Sequence, residues 1–467
     1  MPAPQDSLLK SLADDMARRL TGGGGPEAVL LLERLRLLAA PEPAPSTRPG
    51  AVGIWEPGPE GHERSAARRK EWPYWADVQV IPPKGTRKRV LLLGESVARG
   101  FLYDPDLNPA QVLEATLAAA LGQPVEVVDL ARSDLKGPDL ASLVAETPAL
   151  APDAMVVLAG NNWFLYDKRE RHLEAAVLRE RGALGLKELR EQQLSAFVEQ
   201  TLRPQIVQLS ASVPVVVVVP EINLADWRLD AAADAPWLSP GQNRRWLEDR
   251  AAARDALASG DLDRAQALAR GMVDLDGGTA ASGWSLLADC ASARGDLAAA
   301  RACLEKARDS HLWDFTHQTP RALSVTQQAL RGFALPGRIA VVDLPACFAD
   351  WQGGGLPGRR LFLDYCHLTS EGMRVAMAAT ARAAAALLDA ERPLPPLATL
   401  VSTAPAPSVR LEAAACFAAA LHSAHWGQSS SIVSYLCGEA ARRSPEIARV
   451  MRAYLEIQTR RAPTWAA

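Results

Sequence analysis

Val215-Val216-Val217-Val218-Val219 is a run of five consecutive valines. Branching at Cβ favours extended backbone, and a run apolar on both faces suits a central parallel strand covered by helices on each side. Three further strands are predicted upstream of it: Arg89 through Gly94 (RVLLLG), Val125 through Leu130 (VEVVDL) and Ala154 through Ala159 (AMVVLA). Helices are expected between them over 108–121, 138–148 and 187–211. The next strand of this type, Arg338 through Leu344, comes far downstream, and a helix at 369–390 follows it. Such β-α-β-α order implies a doubly wound parallel sheet of the flavodoxin-like, three-layer α/β/α kind with right-handed crossovers. The long gap before the last strand implies an α-helical insertion.

That insertion carries its own pattern. Gly260-Asp261-Leu262 recurs as Gly295-Asp296-Leu297. Each copy suits a helix ending in Gly followed by one starting at an Asp cap. The spacing and the small residues around it resemble tetratricopeptide helix pairs, whose period is ~34 residues. Two copies are too few for a free-standing solenoid, so they are expected to lean on the main domain. The expected organisation is therefore nested: 1–85 an N-terminal helical segment and linker, 86–245 the first part of the α/β core, 246–334 the insertion, 335–392 the second part of the core, and 393–467 a helical extension. Within the first of these, Ala40 to about Gly61 has a linker-like composition, and Trp72-Pro73-Tyr74-Trp75 reads as edge packing. In the last, His422, His425, Trp426 and Gln428 form a compact polar-aromatic knot, read as a hydrogen-bonded helix contact in preference to a metal site.

Composition narrows the function classes. Of 467 residues, 48% are apolar and 22% charged, and the formal net charge is −3. That is ordinary globular usage without the basic excess of a general nucleic-acid or anionic-membrane binder. The six cysteines contain no CxxC pair, so free thiols in a reducing compartment are expected. The N-terminus breaks every apolar run with Asp or Arg, and no stretch reaches the ~18 apolar residues of a membrane span. A cytoplasmic location follows as an expectation.

In doubly wound sheets, ligands bind beyond the C-terminal ends of the strands. There the chain places Gly94-Glu95-Ser96, Gly160-Asn161-Asn162, Pro220-Glu221-Ile222-Asn223 and Asp364-Tyr365-Cys366-His367. A hydroxyl, an amide, an acid and an imidazole on one rim suffice for acyl transfer. Ser96 attacks a carbonyl, His367 takes and returns its proton, and Asp364 orients the ring. The Ser96 backbone N–H and the Asn162 side-chain amide are the natural oxyanion donors, and helix onset after Ser96 adds a favourable dipole.

The Gly-x-Ser, Gly-x-Asn and Asp-x-x-His blocks, in this order, resemble those of the SGNH, or GDSL-like, serine hydrolases over about 86–245 and 335–392. The chain looks similar to a bacterial subgroup in which tetratricopeptide repeats accompany the core, with PEINLADW at 220–227 and GRRLFLD at 358–364 resembling its loops. The resemblance implies Ser96 as nucleophile, Asn162 as oxyanion donor, and Asp364 with His367 as acid and base. It also implies a backbone donor from the second block. There the family usually has a glycine and this chain reads Ala131-Arg132-Ser133-Asp134, leaving the amide of Ser133 or Asp134 to substitute. Glu95 stands where the family often has Asp.

Asn161, Glu221 and Asn223, with the cationic lip residues Arg169 and Arg171, complete the candidate substrate contacts. No cofactor and no metal are expected. The expected activity is a serine-dependent ester hydrolase acting through an acyl-Ser96 intermediate, on a small-molecule, peptide-linked or carrier-linked acyl group. An acyltransferase using the same site, or a catalytically weak scaffold binding a peptide or protein through the repeats, are the alternatives. No nucleic-acid partner is expected.

Overall fold

The computed structural model describes residues 49–163, 171–228, 236–310 and 320–461. The chain divides into two compact units, Met1–Gly50 and Ala51–Ala467. From Ala51 on, the described residues belong to the second; the expected helices of 5–40 lie outside the described residues.

The unit opens with a small antiparallel sheet of β1 (Trp55–Gly58), β2 (Gly61–Arg64) and β3 (Val80–Ile81). This corrects the expected linker, which turns into a strand at Trp55. The main sheet follows, built of β4 (Lys88–Gly94), β5 (Val125–Asp129), β6 (Ala154–Leu158), β7 (Val215–Val219) and β8 (Ile339–Asp343). Its order is β5-β4-β6-β7-β8, with every pairing parallel. The chain is thus a mixed α/β protein around a five-stranded parallel sheet. Strand order reverses between β4 and β6, the switch point where a crevice opens beyond the strand ends.

The valine run behaves as its composition requires. All five residues of β7 are fully buried, with Val216 and Val218 in one core and Val215, Val217 and Val219 in the other. The same alternation puts Val90 and Leu92 on one face of β4 and Leu91 and Leu93 on the opposite face. The first core is covered by the helices Pro109–Leu121 and Ser370–Leu388, the second by Gly137–Glu146, Arg203–Leu209 and Ser324–Arg331.

Between β7 and β8 stand four described helices, Pro240–Ala258, Leu262–Asp276, Ala281–Ala293 and Leu297–Ser310, before Ser324–Arg331 returns to the sheet. The two Gly-Asp-Leu copies fold alike. Gly260 and Gly295 have φ of +80° and +79°, which favours glycine, and the next Asp caps the following helix. Asp261 accepts from the Arg264 N–H at 3.2 Å and Asp296 from the Ala299 N–H at 3.0 Å. Beyond the core, Leu397–Thr403, Val409–His425, Ser430–Arg443 and Pro445–Arg461 form the helical C-terminal part. Among the described residues, no helix is long and apolar enough to cross a membrane.

Candidate functional site

β4 ends at Gly94, where a side chain would lie 2.1 Å from the Leu158 carbonyl of β6. Glycine therefore lets the two strands meet at the switch point. Ser96 follows at once, starting a single turn of helix, Ser96–Arg99, that Gly100 ends at φ +85°. One turn carries little macrodipole, so the expected dipole assistance is small. Ser96 is only partly buried.

The imidazole of His367 bridges Ser96 and Asp364. Its Nε2 lies 2.8 Å from Ser96 Oγ, and its Nδ1 lies 2.7 Å from Asp364 Oδ2. A carboxylate only accepts, so Nδ1 carries the proton and Nε2 offers its lone pair to the serine hydroxyl. Residues 271 positions apart thus form one hydrogen-bonded chain. The Phe101 ring, 36% exposed, sits 4.6 Å from the imidazole between centroids.

Asp364 is buried and fully engaged. Its Oδ1 accepts from the backbone N–H groups of Cys366 (3.0 Å) and His367 (2.8 Å), a local turn that shapes the Asp-x-x-His segment. Its Oδ2 accepts from His367 and also from His422 Nδ1 at 2.9 Å. Burial alone would push this carboxyl up, yet the two histidines hold it well below the usual carboxylate range. Asp364, Cys366 and His367 also form the metal-compatible grouping among the described residues, with donor atoms within 4.8 Å. Both ring nitrogens of His367 are already committed to Asp364 and Ser96.

Glu95 is a second buried carboxylate at the same rim, and the sequence reading gave it no role. Its side chain accepts three consecutive backbone N–H groups, from Gly160 (3.1 Å), Asn161 (2.8 Å) and Asn162 (3.2 Å). The residue before the serine therefore anchors the loop after β6. Burial pushes its carboxyl up to about 7 against the pull of those donors. Asn162 itself is buried, and among the described residues its side-chain amide makes no hydrogen bond.

The remaining candidates have structural partners. The Ser133 N–H donates to the Tyr74 carbonyl at 2.7 Å, which leaves it committed. Asp134, at φ +59°, turns its exposed carboxylate to Lys136 Nζ at 2.6 Å. Asn161 accepts the Ala322 N–H on its side chain and the Arg321 N–H on its carbonyl, fixing the segment that returns from the insertion. Glu221 is buried, pairs with Arg301 of the helix Leu297–Ser310, and accepts the Ile222 N–H at 3.0 Å. Asn223 donates from Nδ2 to the Asp364 carbonyl at 3.0 Å, while its N–H donates to the Tyr365 carbonyl at 2.9 Å. It braces the acid's loop. Arg169 lies outside the described residues, and Arg171 opens the helix Arg171–Phe197 with a side chain that also lies outside them.

The local geometry is a continuous serine–histidine–aspartate hydrogen-bonded chain. No family model matches the chain, and no curated protein matches it. Among solved structures it is similar to the lipase/acylhydrolase from Enterococcus faecalis, at 14% identity and a TM-score of 0.29, over 63% of this chain and 94% of that one. A likeness so distant says nothing of the chemistry, which is read from the side chains themselves.

Proposed function

We propose that the chain is a serine-dependent ester hydrolase of the SGNH type acting through an acyl-Ser96 intermediate. The single observation that carries this reading is the continuous chain Ser96–His367–Asp364, with hydrogen bonds of 2.8 and 2.7 Å and a tautomer fixed by the acid. His367 accepts the Ser96 proton as Oγ attacks the acyl carbon. The ester C–O bond then breaks, and the same proton goes to the leaving alcohol. Water next attacks the acyl-serine, His367 takes its proton, and that proton returns to Ser96 as the acid leaves. The Ser96 and Asp134 backbone N–H groups and the Asn162 amide are the candidate oxyanion donors. Phe101 offers apolar contact to the acyl group.

The substrate we favour is a bulky ester, peptide-linked or carrier-linked. Supporting it, the insertion is tied to the rim through Glu221–Arg301 and the C-terminal helices through His422–Asp364, so added elements frame the nucleophile. The scaffold reading draws on one observation, the Ser133 amide already taken by Tyr74.

Hydrolysis of a short p-nitrophenyl ester tests the reading. Wild type is expected to turn it over and Ser96→Ala to lose at least ~10³-fold in kcat. Equal rates in the two proteins would contradict it. Added alcohols separate hydrolysis from acyl transfer by whether they capture the acyl group ahead of water.

A further inference from the structure

The reaction as described uses one histidine, whereas Asp364 holds two. His422 lies in the last turn of the helix Val409–His425 of the C-terminal part and places Nδ1 2.9 Å from the same Oδ2 that His367 uses. The two rings stand 6.4 Å apart between centroids. One turn on, the indole N–H of Trp426 donates to His422 Nε2 at 2.7 Å. An indole nitrogen is only ever a donor, so Nε2 must present its lone pair and the ring proton must sit on Nδ1, facing the carboxylate. Trp426 thereby sets the tautomer of His422, as Asp364 sets that of His367.

The placement is itself secured. Gln428 takes the Arg228 N–H on Oε1 at 2.8 Å and donates from Nε2 to the Arg228 carbonyl at 2.9 Å, pinning the end of this helix to the loop after β7. Further along the same helix, Glu412 accepts from the Tyr103 hydroxyl at 2.9 Å and from Ser370, at the start of the helix that follows His367. The helix that carries His422 is thus fixed to the same loops that carry the triad.

We propose that His422 is a positioning residue of the catalytic site, donated by the C-terminal helices: with Trp426 locking its tautomer, it holds the Asp364 carboxylate in the orientation that directs His367 at Ser96. This rests on the proposed function of Ser96. With the second donor gone, a buried carboxylate oxygen keeps only one partner, and the His367 ring loses part of its alignment. The C-terminal helices are therefore part of the machinery, and removing them would impair catalysis without touching the nucleophile.

The test is the second-order rate at which a fluorophosphonate labels Ser96 in the full chain, with thermal unfolding measured in parallel. His422→Leu is expected to slow labelling about 10-fold or more, since a hydrogen bond to a charged group is lost. His422→Asn places an amide nitrogen near the Nδ1 position and is expected to recover most of the rate; His422→Gln, whose nitrogen reaches the Nε2 position instead, is not. The Asn–Gln contrast decides the matter even where the Leu variant folds poorly, because both amides are polar and similar in packing. Trp426→Phe, which frees the tautomer, is expected to fall between wild type and His422→Leu. Labelling of His422→Leu at the wild-type rate, or equal rates for Asn and Gln, would overturn the proposal. Absence of any Ser96-dependent labelling in wild type would overturn the hydrolase reading and this inference with it.

Discussion

Two buried carboxylates stand at the same rim, and their surroundings drive them in opposite directions. Asp364 faces two imidazole N–H groups and two backbone N–H groups, and is held below the usual carboxylate range. Glu95 accepts from three backbone N–H groups with, among the described residues, no side-chain hydrogen bond, and burial pushes it up to about 7. Both are out of water, so the difference lies in the partners. Imidazoles can take up positive charge during the reaction, whereas amide dipoles only orient a loop. In the proposed mechanism, one acid stabilises the charge that would appear on His367. The other is built to hold the segment that carries Asn162.

The largest expected effect comes from removing the first acid's charge. In Asp364→Asn no orientation of the amide accepts from all four donors, so kcat for a short ester should fall by ~10³–10⁴. A drop smaller than tenfold would show that Asp364 does not orient the base. Glu95→Gln breaks the second site more gently. Its amide nitrogen must face one of three N–H groups, at a cost of about 1–3 kcal/mol in stability. The loop shift should lower kcat by roughly 10–100-fold with little change in KM. An unchanged kcat would separate the loop from the chemistry.

The pH dependence of stability sharpens the contrast further. The Glu95 carboxyl is raised in the folded state, so its stabilising contribution is complete below its unfolded value near 4.5 and is lost as pH rises through about 7. The Asp364 carboxyl is lowered, so its contribution is present above its unfolded value near 3.8 and is lost only as pH falls through the depressed folded value. Between pH 5 and pH 8, wild type should therefore lose up to ~3 kcal/mol relative to Glu95→Gln in denaturant unfolding. A flat difference would mean that Glu95 is not the titrating group. The smallest effect belongs to the rim. With its carboxylate drawn off by Lys136, Asp134→Ala should change the rate by less than ~3-fold, as expected for an exposed pair. A marked gain in rate would show that the carboxylate opposes the oxyanion.

This contrast also separates what was legible in the sequence from what was not. β4 to β8 were legible because strands of a helix-covered parallel sheet read as short, mostly apolar runs, Val215–Val219 most clearly. Ser96 was legible as punctuation just past β4, and Asp364 with His367 as the polar segment before the helix Ser370–Leu388, once the fold class said which rim they share. The sheet of β1 to β3 was not: strands of four and two residues, one of them Gly61-His62-Glu63-Arg64, leave no alternation to read. Glu95 escaped because its partners are backbone N–H groups, which any residue supplies. Of His422 only a hydrogen-bonded helix contact was legible, because its three-residue spacing to His425 speaks only of a helix face. Its partner, Asp364, lies 58 residues upstream in another element. The amide of Ser133 looked free and is not: the aromatic cluster 72–75 announces edge packing, but not which backbone N–H the Tyr74 carbonyl takes.

The central claim is that Ser96 is a nucleophile activated through His367 and Asp364. Its most direct test is mass-spectrometric mapping of a fluorophosphonate adduct on the full chain. One stoichiometric adduct is expected on the peptide containing Ser96, absent in Ser96→Ala and strongly slowed in His367→Ala. A folded wild-type protein that forms no adduct, or forms it at another residue, would contradict the account.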